Sequence, residues 1–292
     1  MHNVKSEILI IDRIIFEGKL KEKYHFVKNK MKLIYSTLKY AGKAPKLTDD
    51  LTFPPHEISN KEVKLGPLGE LLAIGGDLSE KRMIKAYKNG ISEISFDNEP
   101  LLWWTSTARC VILPCGIHIS KIMRRTIKSK KFEITMDKAF KDVVNYCSIL
   151  RKNNTWITKA RIDTYCKLHK SGIAHSLEVW KDGDLAGGLF GVSFGAYFLV
   201  ESKFAIENHA SKTALIALFL RLEELGCTLF DLGIWPTEHL KSMGAVSISR
   251  ESFLGNLEES MKLSNITEDW SRVFEGWDFL MAVEKNFKSV NK

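Results

Sequence analysis

The chain has 292 residues, and its 43 Lys and Arg against 35 Asp and Glu give a formal net charge of +8 at pH 7. This length allows a sizeable core and two domains, and the charge suits a polyanionic partner such as RNA. Five cysteines without a C-x-x-C pair argue against a disulfide framework or a zinc site and favour reduced thiols in the cytoplasm. No apolar run approaches the length of a membrane span, and no signal peptide is expected.

The N-terminal part predicts a basic extension and then a small domain. Residues 1–52 are rich in lysine, and the prolines that follow Phe53 mark a boundary because they restrict the backbone. Ser79 is a suitable N-cap for a helix that ends before Gly90. A buried strand with paired tryptophans leads to Arg109, which could reach a phosphate or a carboxylate. We expect this domain to cover residues 53–115.

A basic helix is predicted next. Residues 118–131 carry six cations and no acid, with apolar residues at helical spacing. Such a run is usually a solvated face, but like charges at this density repel unless a polyanion is near, so we expect contacts with RNA phosphates. The six residues are Lys121, Arg124, Arg125, Lys128, Lys130 and Lys131.

Residues 135–150 are predicted to be helical, and a loop then leads to Trp156. An aromatic side chain at a loop edge either stacks on a base or caps the core, and the sequence alone leaves both readings open.

The centre of the chain predicts a hairpin and a third strand. Asp182-Gly183 separates two apolar runs and suits the positive backbone angles of a tight turn. Glycines 187, 188 and 191 within one strand suggest a bulge or the close approach of another backbone or ligand. Glu201 is the acid in the next strand. It either faces solvent or pairs with Lys203, or it is held in a pocket for chemistry.

The last elements complete a mixed α/β pattern. A helix capped by Ser211 precedes a buried strand with Asp231 at its C-terminal end, where ligands bind in open α/β sheets. The order of helices, hairpin and single strands predicts a mixed sheet and not a parallel Rossmann alternation. We expect a larger domain over residues 116–255 and a tail over 256–292 that packs back on the core.

Several separate motifs resemble the leucyl/phenylalanyl-tRNA–protein transferase family, in that family's order and over about residues 53–255. They are GELLAIGGDLSEKRMIKAYKNGI (69–91), PLLWWTSTAR (100–109), TWIT (155–158), AHSLEVWKDGDLAGGLFGV (174–192), ESKF (201–204), NHASKTAL (208–215), FDLG (230–233) and HLKSMGA (239–245).

The resemblance implies a small N-terminal domain beside a domain of acetyltransferase-like (GNAT) topology. It implies transfer of an apolar aminoacyl group from aminoacyl-tRNA to an N-terminal Arg or Lys of a protein, which marks that protein for degradation. No metal or soluble cofactor is implied. We expect a cytoplasmic monomer whose partners are aminoacyl-tRNA and such acceptor proteins.

The family's site residues are carried over by motif. Glu201 and Asp231 match its two acids, of which Asp231 assists the attacking amine. Trp156 matches an aromatic residue that contacts the 3′ adenosine of the tRNA. Leu189 lies where the family lines its aminoacyl pocket, and Arg109 is a further candidate for substrate binding.

Three positions depart from the family pattern. Gly233 stands where the family has a glutamine, and Lys203 replaces a methionine of the apolar pocket, so its ammonium must snorkel, pair or deprotonate. Ile94 replaces a tryptophan that stacks on the adenosine, a contact worth about 1–3 kcal/mol. These changes fall in the site while the scaffold motifs are kept.

Two alternatives remain at this level. One is a catalytically weak or inactive relative that binds tRNA or protein N-termini, or that has altered aminoacyl or acceptor specificity. The other is an acetyltransferase that uses acetyl-CoA. Its usual Q/R-x-x-G-x-G/A loop is replaced here by Asn208-His-Ala-Ser.

Overall fold

The computed structural model describes residues 39–40, 42–96, 99–150 and 155–290. These residues form two β-sheets with helices packed against them, and each sheet contains both parallel and antiparallel neighbours. The predicted mixed α/β class is therefore confirmed. None of the helices in the described ranges combines the length and the apolar character that crossing a bilayer requires.

The smaller sheet has the strand order β1-β3-β5-β4, with β2 also paired to β3. Its strands are β1 (Lys46–Leu47), β2 (Asn60–Leu65), β3 (Gly69–Gly75), β4 (Ser92–Glu93) and β5 (Leu102–Ser106). Helix α1 (Glu80–Lys88) connects β3 to β4. It begins at the predicted N-cap, since the Ser79 side chain accepts from the Arg82 N–H at 3.4 Å, and it ends before Gly90.

The larger sheet has the strand order β12-β6-β11-β10-β9-β8-β7. Its strands are β6 (Ala108–Ile112), β7 (Glu133–Met136), β8 (Ala174–Lys181), β9 (Asp184–Phe194), β10 (Tyr197–Ala205), β11 (Leu229–Asp231) and β12 (Val246–Ser249). Strand β6 falls within the predicted N-terminal domain but pairs with β11 and β12. The domain boundaries stay a prediction.

Helices cover both faces of the larger sheet. They are α2 (Lys121–Lys128), α3 (Phe140–Ile149), α4 (Lys159–Lys170), α5 (Ala210–Glu224), α6 (Glu238–Lys241), α7 (Arg250–Lys262) and α8 (Phe279–Val290). One hydrophobic cluster joins α3, α4 and α7 to the smaller sheet, and a second lies around α2, α5 and α8. The tail therefore packs back on the core, as predicted.

Two sequence predictions about helix ends are wrong. The helix expected over residues 135–150 starts later, because residues 135 and 136 belong to β7 and pair with β8. Ser211 lies inside α5. The N-cap of that helix is His209, which has φ +75° and makes no capping hydrogen bond through its side chain.

The central hairpin forms at Asp182-Gly183, where both residues have positive φ, as predicted. The close approach expected at the glycines of β9 is also confirmed. A Cβ on Gly191 would lie 2.1 Å from the carbonyl oxygen of Leu199 and 2.6 Å from the Phe198 ring. Strand β10 can therefore approach β9 closely at this point because position 191 carries no side chain.

Strands β10 and β11 pair along only part of β10. The parallel register joins residues 197–199 to residues 229–231, whereas β10 continues to Ala205 alongside β9. The pairing with β9 shifts between Val200 and Ser202, so Glu201 is the extra residue of a β-bulge. The bulge and the end of the pairing with β11 coincide, and a gap opens beside Glu201.

We expect Gly191→Ala to lower the free energy of unfolding by about 1–3 kcal/mol, because the new methyl group overlaps a backbone oxygen that cannot move aside. Urea unfolding measures the change. Gly255→Ala is the matched control, since this α7 glycine has no neighbour within 4 Å and the substitution should stabilise the helix by about 0.5–1 kcal/mol. Equal stability of the two variants would contradict the close approach.

Candidate active site

The gap between β10 and β11 is a cavity of about 250 Å³. Six of its ten lining residues are apolar, and the other four are polar or charged. Three of the residues predicted from sequence line it: Trp156, Glu201 and Lys203. The other lining residues are Val200, Ser202, Leu215, Leu232, Trp235, Thr237 and Leu240. Of the described residues that line this cavity, Glu201 is the one acid.

Glu201 occupies the bulge of β10 and is partly exposed to the cavity. Its carboxyl group is surrounded by protein, and this burial raises the pKa of Glu201 to about 7. A hydrogen bond from the Tyr87 hydroxyl and the positive charge of Arg109 act in the opposite direction but do not outweigh burial. Glu201 is therefore an acid in a pocket with a pKa near neutral pH, which is one of the alternatives that the sequence left open.

Two tyrosines beneath Glu201 were not identified as site residues from the sequence. Tyr87 lies on α1 and Tyr165 on α4, both are buried, and their hydroxyl oxygens are 3.5 Å apart. Their spacing on apolar helix faces indicates core residues. A buried tyrosine hydroxyl usually needs a polar partner, and this was the available signal.

Asp231 lies beside the cavity but is fully buried and is not among its lining residues. Its two carboxylate oxygens accept from Arg109 Nε at 3.0 and 2.9 Å. They also accept from the Tyr197 hydroxyl at 2.8 Å and from the Gly233 N–H at 2.7 Å. The carboxylate is thus held in one orientation at the end of β11.

Arg109 reaches a carboxylate, one of the two anions considered from the sequence. Burial disfavours the charged guanidinium, but the adjacent Asp231 outweighs this effect and raises the pKa of Arg109. Arg109 also donates to the Ser92 hydroxyl at 3.2 Å and packs over the Phe253 ring. It therefore connects β6 to β11 and to the smaller sheet, and it is not among the residues that line the cavity.

Trp156 is fixed by a second buried ion pair. Arg161 of α4 donates to Glu93 of β4 through Nε at 2.5 Å and to the carbonyl oxygen of Ser95 at 2.9 Å. The same guanidinium donates to the Trp156 carbonyl oxygen and lies 5.6 Å from the centre of its ring. Trp156 is buried and also lines the cavity, so its ring packs in the core and forms a wall of the site.

The three positions that depart from the family pattern have different surroundings. Ile94 is buried in the core, and its carbonyl oxygen accepts from Trp104 Nε1 at 2.7 Å. Gly233 has φ +85° and open space around its Cβ position, so a larger residue has room there but a strained backbone. Lys203 lines the cavity and pairs with Leu189 of the neighbouring strand β9. Leu189 is itself buried and is not among the lining residues.

The basic stretch forms α2 and the turn after it. Arg124 is partly covered by α8, and its guanidinium lies 3.9 Å from the centre of the Phe287 ring. The Nζ of Lys131 lies 4.0 Å from a carboxylate oxygen of Glu207. Glu207 thus offsets part of the positive charge of residues 118–131, which contain no acid. The remaining cations are exposed to solvent: Lys121, Arg125, Lys128 and Lys130.

A cluster that the sequence analysis did not identify joins Asp137, His169 and His175, whose ligand atoms lie within 4.8 Å of one another. His175 Nδ1 is 2.7 Å from Asp137 Oδ2, and its Nε2 is 3.1 Å from the Gly172 carbonyl oxygen. His169 Nδ1 is 2.8 Å from the Ala174 carbonyl oxygen. Because these nitrogens already face acceptors, a metal ion would have to displace existing hydrogen bonds. The contacts fit a structural cluster between α4 and β8.

Comparisons with known proteins agree on one family. The family model described as leucyl/phenylalanyl-tRNA protein transferase matches residues 111–258. The leucyl/phenylalanyl-tRNA–protein transferase of Stutzerimonas stutzeri is 42% identical over 207 residues, which cover 70% of this chain and 89% of that protein. Those of Syntrophobacter fumaroxidans and Legionella pneumophila are 39% and 40% identical, covering 77% and 75% of this chain and 94% and 96% of their own lengths.

Among solved structures, a conserved protein of unknown function from Bacteroides thetaiotaomicron is similar at a TM-score of 0.34 and 9% identity, covering 55% of this chain and 57% of its own. A likeness at this level does not bear on fold or function. The sequence relatives do, because they match most of this chain and nearly all of their own length. The chain belongs to the leucyl/phenylalanyl-tRNA–protein transferase family, a family of aminoacyltransferases.

Proposed function

We propose that this protein transfers a leucyl or phenylalanyl group from aminoacyl-tRNA to the N-terminal Arg or Lys of an acceptor protein, which marks that protein for degradation. The observation that carries the proposal is the cavity where β10 and β11 separate, with apolar side chains and Glu201 in its lining and the pKa of this acid raised to about 7. The relatives are named for this reaction, and the geometry of the cavity supports assigning the reaction to it.

Glu201 is assigned as the proton acceptor for the attacking amine. An N-terminal amino group has an ordinary pKa of about 8, so a carboxylate with a pKa of about 7 is well matched to take its proton near neutral pH. The freed amine nitrogen attacks the ester carbonyl and forms a carbon–nitrogen bond. The bond to the ribose oxygen then breaks, and that oxygen takes a second proton from the former ammonium. The ester is already activated, so positioning supplies much of the remaining catalysis.

Asp231 is assigned a positioning role. Its oxygens are engaged by Arg109, Tyr197 and the Gly233 N–H, and it is buried behind the cavity. Its negative charge favours a higher pKa of Glu201, and the positive charge of Arg109 favours a lower one. The pair thus fixes the end of β11, and its two charges act in opposite directions on the pKa of Glu201. Arg109 belongs to this pair, so its predicted role in substrate binding becomes an indirect one.

The tRNA is proposed to lie across α2 and to place its 3′ end in the cavity. Exposed cations on α2 suit phosphates, and Trp156 offers an aromatic wall for the terminal adenosine.

The separation of two parallel neighbours in the larger sheet supports the acetyltransferase-like topology that the resemblance implies. The charged tRNA is a cytoplasmic substrate, and free cysteines fit a reducing compartment. We propose that the protein acts there as a monomer.

The test of the reaction is transfer of radiolabelled leucine or phenylalanine from charged tRNA to a peptide that begins with Arg or Lys. We expect product with these peptides and little with a matched peptide that begins with Met. Glu201→Gln should reduce the rate by about 100-fold or more, because an amide cannot accept the proton. The absence of product in the wild-type protein with any charged tRNA would favour the alternative of an inactive relative.

We expect the wild-type transfer rate to increase with pH and to level off above about 7, as Glu201 loses its proton. Urea unfolding of Glu201→Gln gives the folding control. A raised pKa in the folded state stabilises the protein at acid pH, and that contribution is lost as the pH rises through 7. Above that pH the Gln variant should be at least as stable as the wild type. A rate independent of pH across this range would exclude Glu201 as the proton acceptor.

We expect Asp231→Asn to lower the free energy of unfolding by about 3–5 kcal/mol, because it leaves Arg109 buried without its anionic partner. The midpoint of the pH–rate profile should also move below 7, since burial still raises the pKa of Glu201 but the added contribution of the Asp231 charge is gone. Lys241→Ala, which breaks an exposed pair with Glu238, should change neither quantity. An unchanged midpoint in Asp231→Asn would contradict the positioning role.

A further inference from the structure

Two tryptophans line the cavity, and they differ in how much of each side chain is accessible. They are Trp156 and Trp235. Trp156 is only 4% exposed, and the Arg161 guanidinium lies 5.6 Å from the centre of its ring. Trp235 keeps more of its surface exposed. Of these two rings, that of Trp235 is therefore better able to receive a flat partner from the cavity.

Trp235 is held in place by a turn of the smaller sheet. The residue lies between β11 and α6, and its carbonyl oxygen accepts from the Thr237 N–H at 2.8 Å. Its indole lies against Gly66, in the turn between β2 and β3, where a Cβ would be only 2.3 Å from the indole Nε1 and 2.8 Å from Cδ1. The pyrrole side of the ring thus packs closely on the turn, and its position depends on the missing side chain at residue 66.

A stacking surface for a nucleobase must be exposed and already ordered, because a side chain that is fixed before binding loses little further conformational entropy. Trp235 meets both conditions. It also lies on the opposite edge of the gap from Glu201, since it follows β11 whereas Glu201 belongs to β10. Ile94, which replaces a tryptophan of the family pattern, is buried and is not among the lining residues. A substrate that spans the gap with its ester at Glu201 can therefore place its base on Trp235.

We propose that Trp235 stacks on the terminal adenine of the aminoacyl-tRNA and thereby positions the ester at Glu201, while Trp156 forms a fixed wall of the same cavity. The inference rests on the proposed function, since it takes the cavity as the site of the aminoacyl-adenosine end. It adds the residue that holds the base. The leucyl or phenylalanyl group and the chemistry of transfer at Glu201 stay the same.

Binding of two stable analogues tests this without requiring turnover. One is 3′-amino-3′-deoxyadenosine that carries leucine through an amide bond, and the other is the same leucyl amide on a ribose that lacks the base. Isothermal titration calorimetry gives both affinities. We expect Trp235→Leu to lower the affinity for the first analogue by about tenfold to a hundredfold and to leave the affinity for the second unchanged. Trp235→Phe should retain most of the affinity, because its ring still offers a π face.

Gly66→Ala tests the packing that holds the ring. It should also lower the affinity for the base-bearing analogue, because its methyl group overlaps Nε1 of Trp235 and displaces the indole. Gly276→Ala is the matched control. Its φ of +64° is close to the +61° of Gly66, but its Cβ position has no neighbour within 4 Å, so the variant carries similar backbone strain without touching Trp235. We expect this control to bind both analogues as the wild type does.

The same proteins are then compared in transfer from leucyl-tRNA. Wild-type affinity in Trp235→Leu would overturn the proposal, and so would an equal loss for both analogues, which would place Trp235 against the ribose or the aminoacyl group. If the base-dependent loss is observed but the wild type transfers nothing, the stacking role stands and the proposed reaction fails. If the wild-type protein binds neither analogue, the cavity is not the aminoacyl-adenosine site and both proposals fall.

Discussion

The separation of β10 from β11 is the constraint on which the rest of this structure depends. Two parallel strands that stayed paired along their length would leave no space between them. Here the pairing stops at Leu199 and Asp231, and the bulge at Glu201 turns the following residues of β10 away. A glycine at position 191 allows the neighbouring backbone to approach closely enough for this bend. The gap is bordered by an acid whose charge is costly to bury, which is why the pKa of Glu201 is raised to about 7.

Two buried ion pairs hold the elements around this gap. Arg109 and Asp231 connect β6 to the end of β11, and Arg161 and Glu93 connect α4 to β4 while supporting the backbone of Trp156. Such pairs contribute little net stability, because the desolvation of both charges offsets much of their attraction. Their main effect is to fix how these elements are arranged relative to one another. Each guanidinium also bonds to further backbone or hydroxyl groups, so the elements can meet in only a few arrangements that leave no buried charge unpaired.

Local features of the fold followed from the sequence, and the long-range contacts did not. The turn at Asp182-Gly183 and the cap at Ser79 depend on residues next to one another, and their prediction was correct. The resemblance named Glu201 as a site acid, and the structure shows this residue in the lining of a cavity. The Arg109–Asp231 pair joins residues 122 positions apart, and no local pattern encodes that contact. The contact of Tyr87 with Glu201 could not be predicted either, because a tyrosine on an apolar helix face indicates packing but not the partner of its hydroxyl.

The central claim is that the acid in this gap titrates near neutrality inside the folded protein. Infrared difference spectroscopy of the wild type against Glu201→Gln, recorded over a pH titration, isolates the carboxyl signal of this one residue. The account predicts loss of the protonated carboxyl band with a midpoint near 7. A midpoint near the ordinary glutamate value of 4.5 would contradict it, since the carboxylate would then be solvated and poorly matched to accept a proton from an ammonium group.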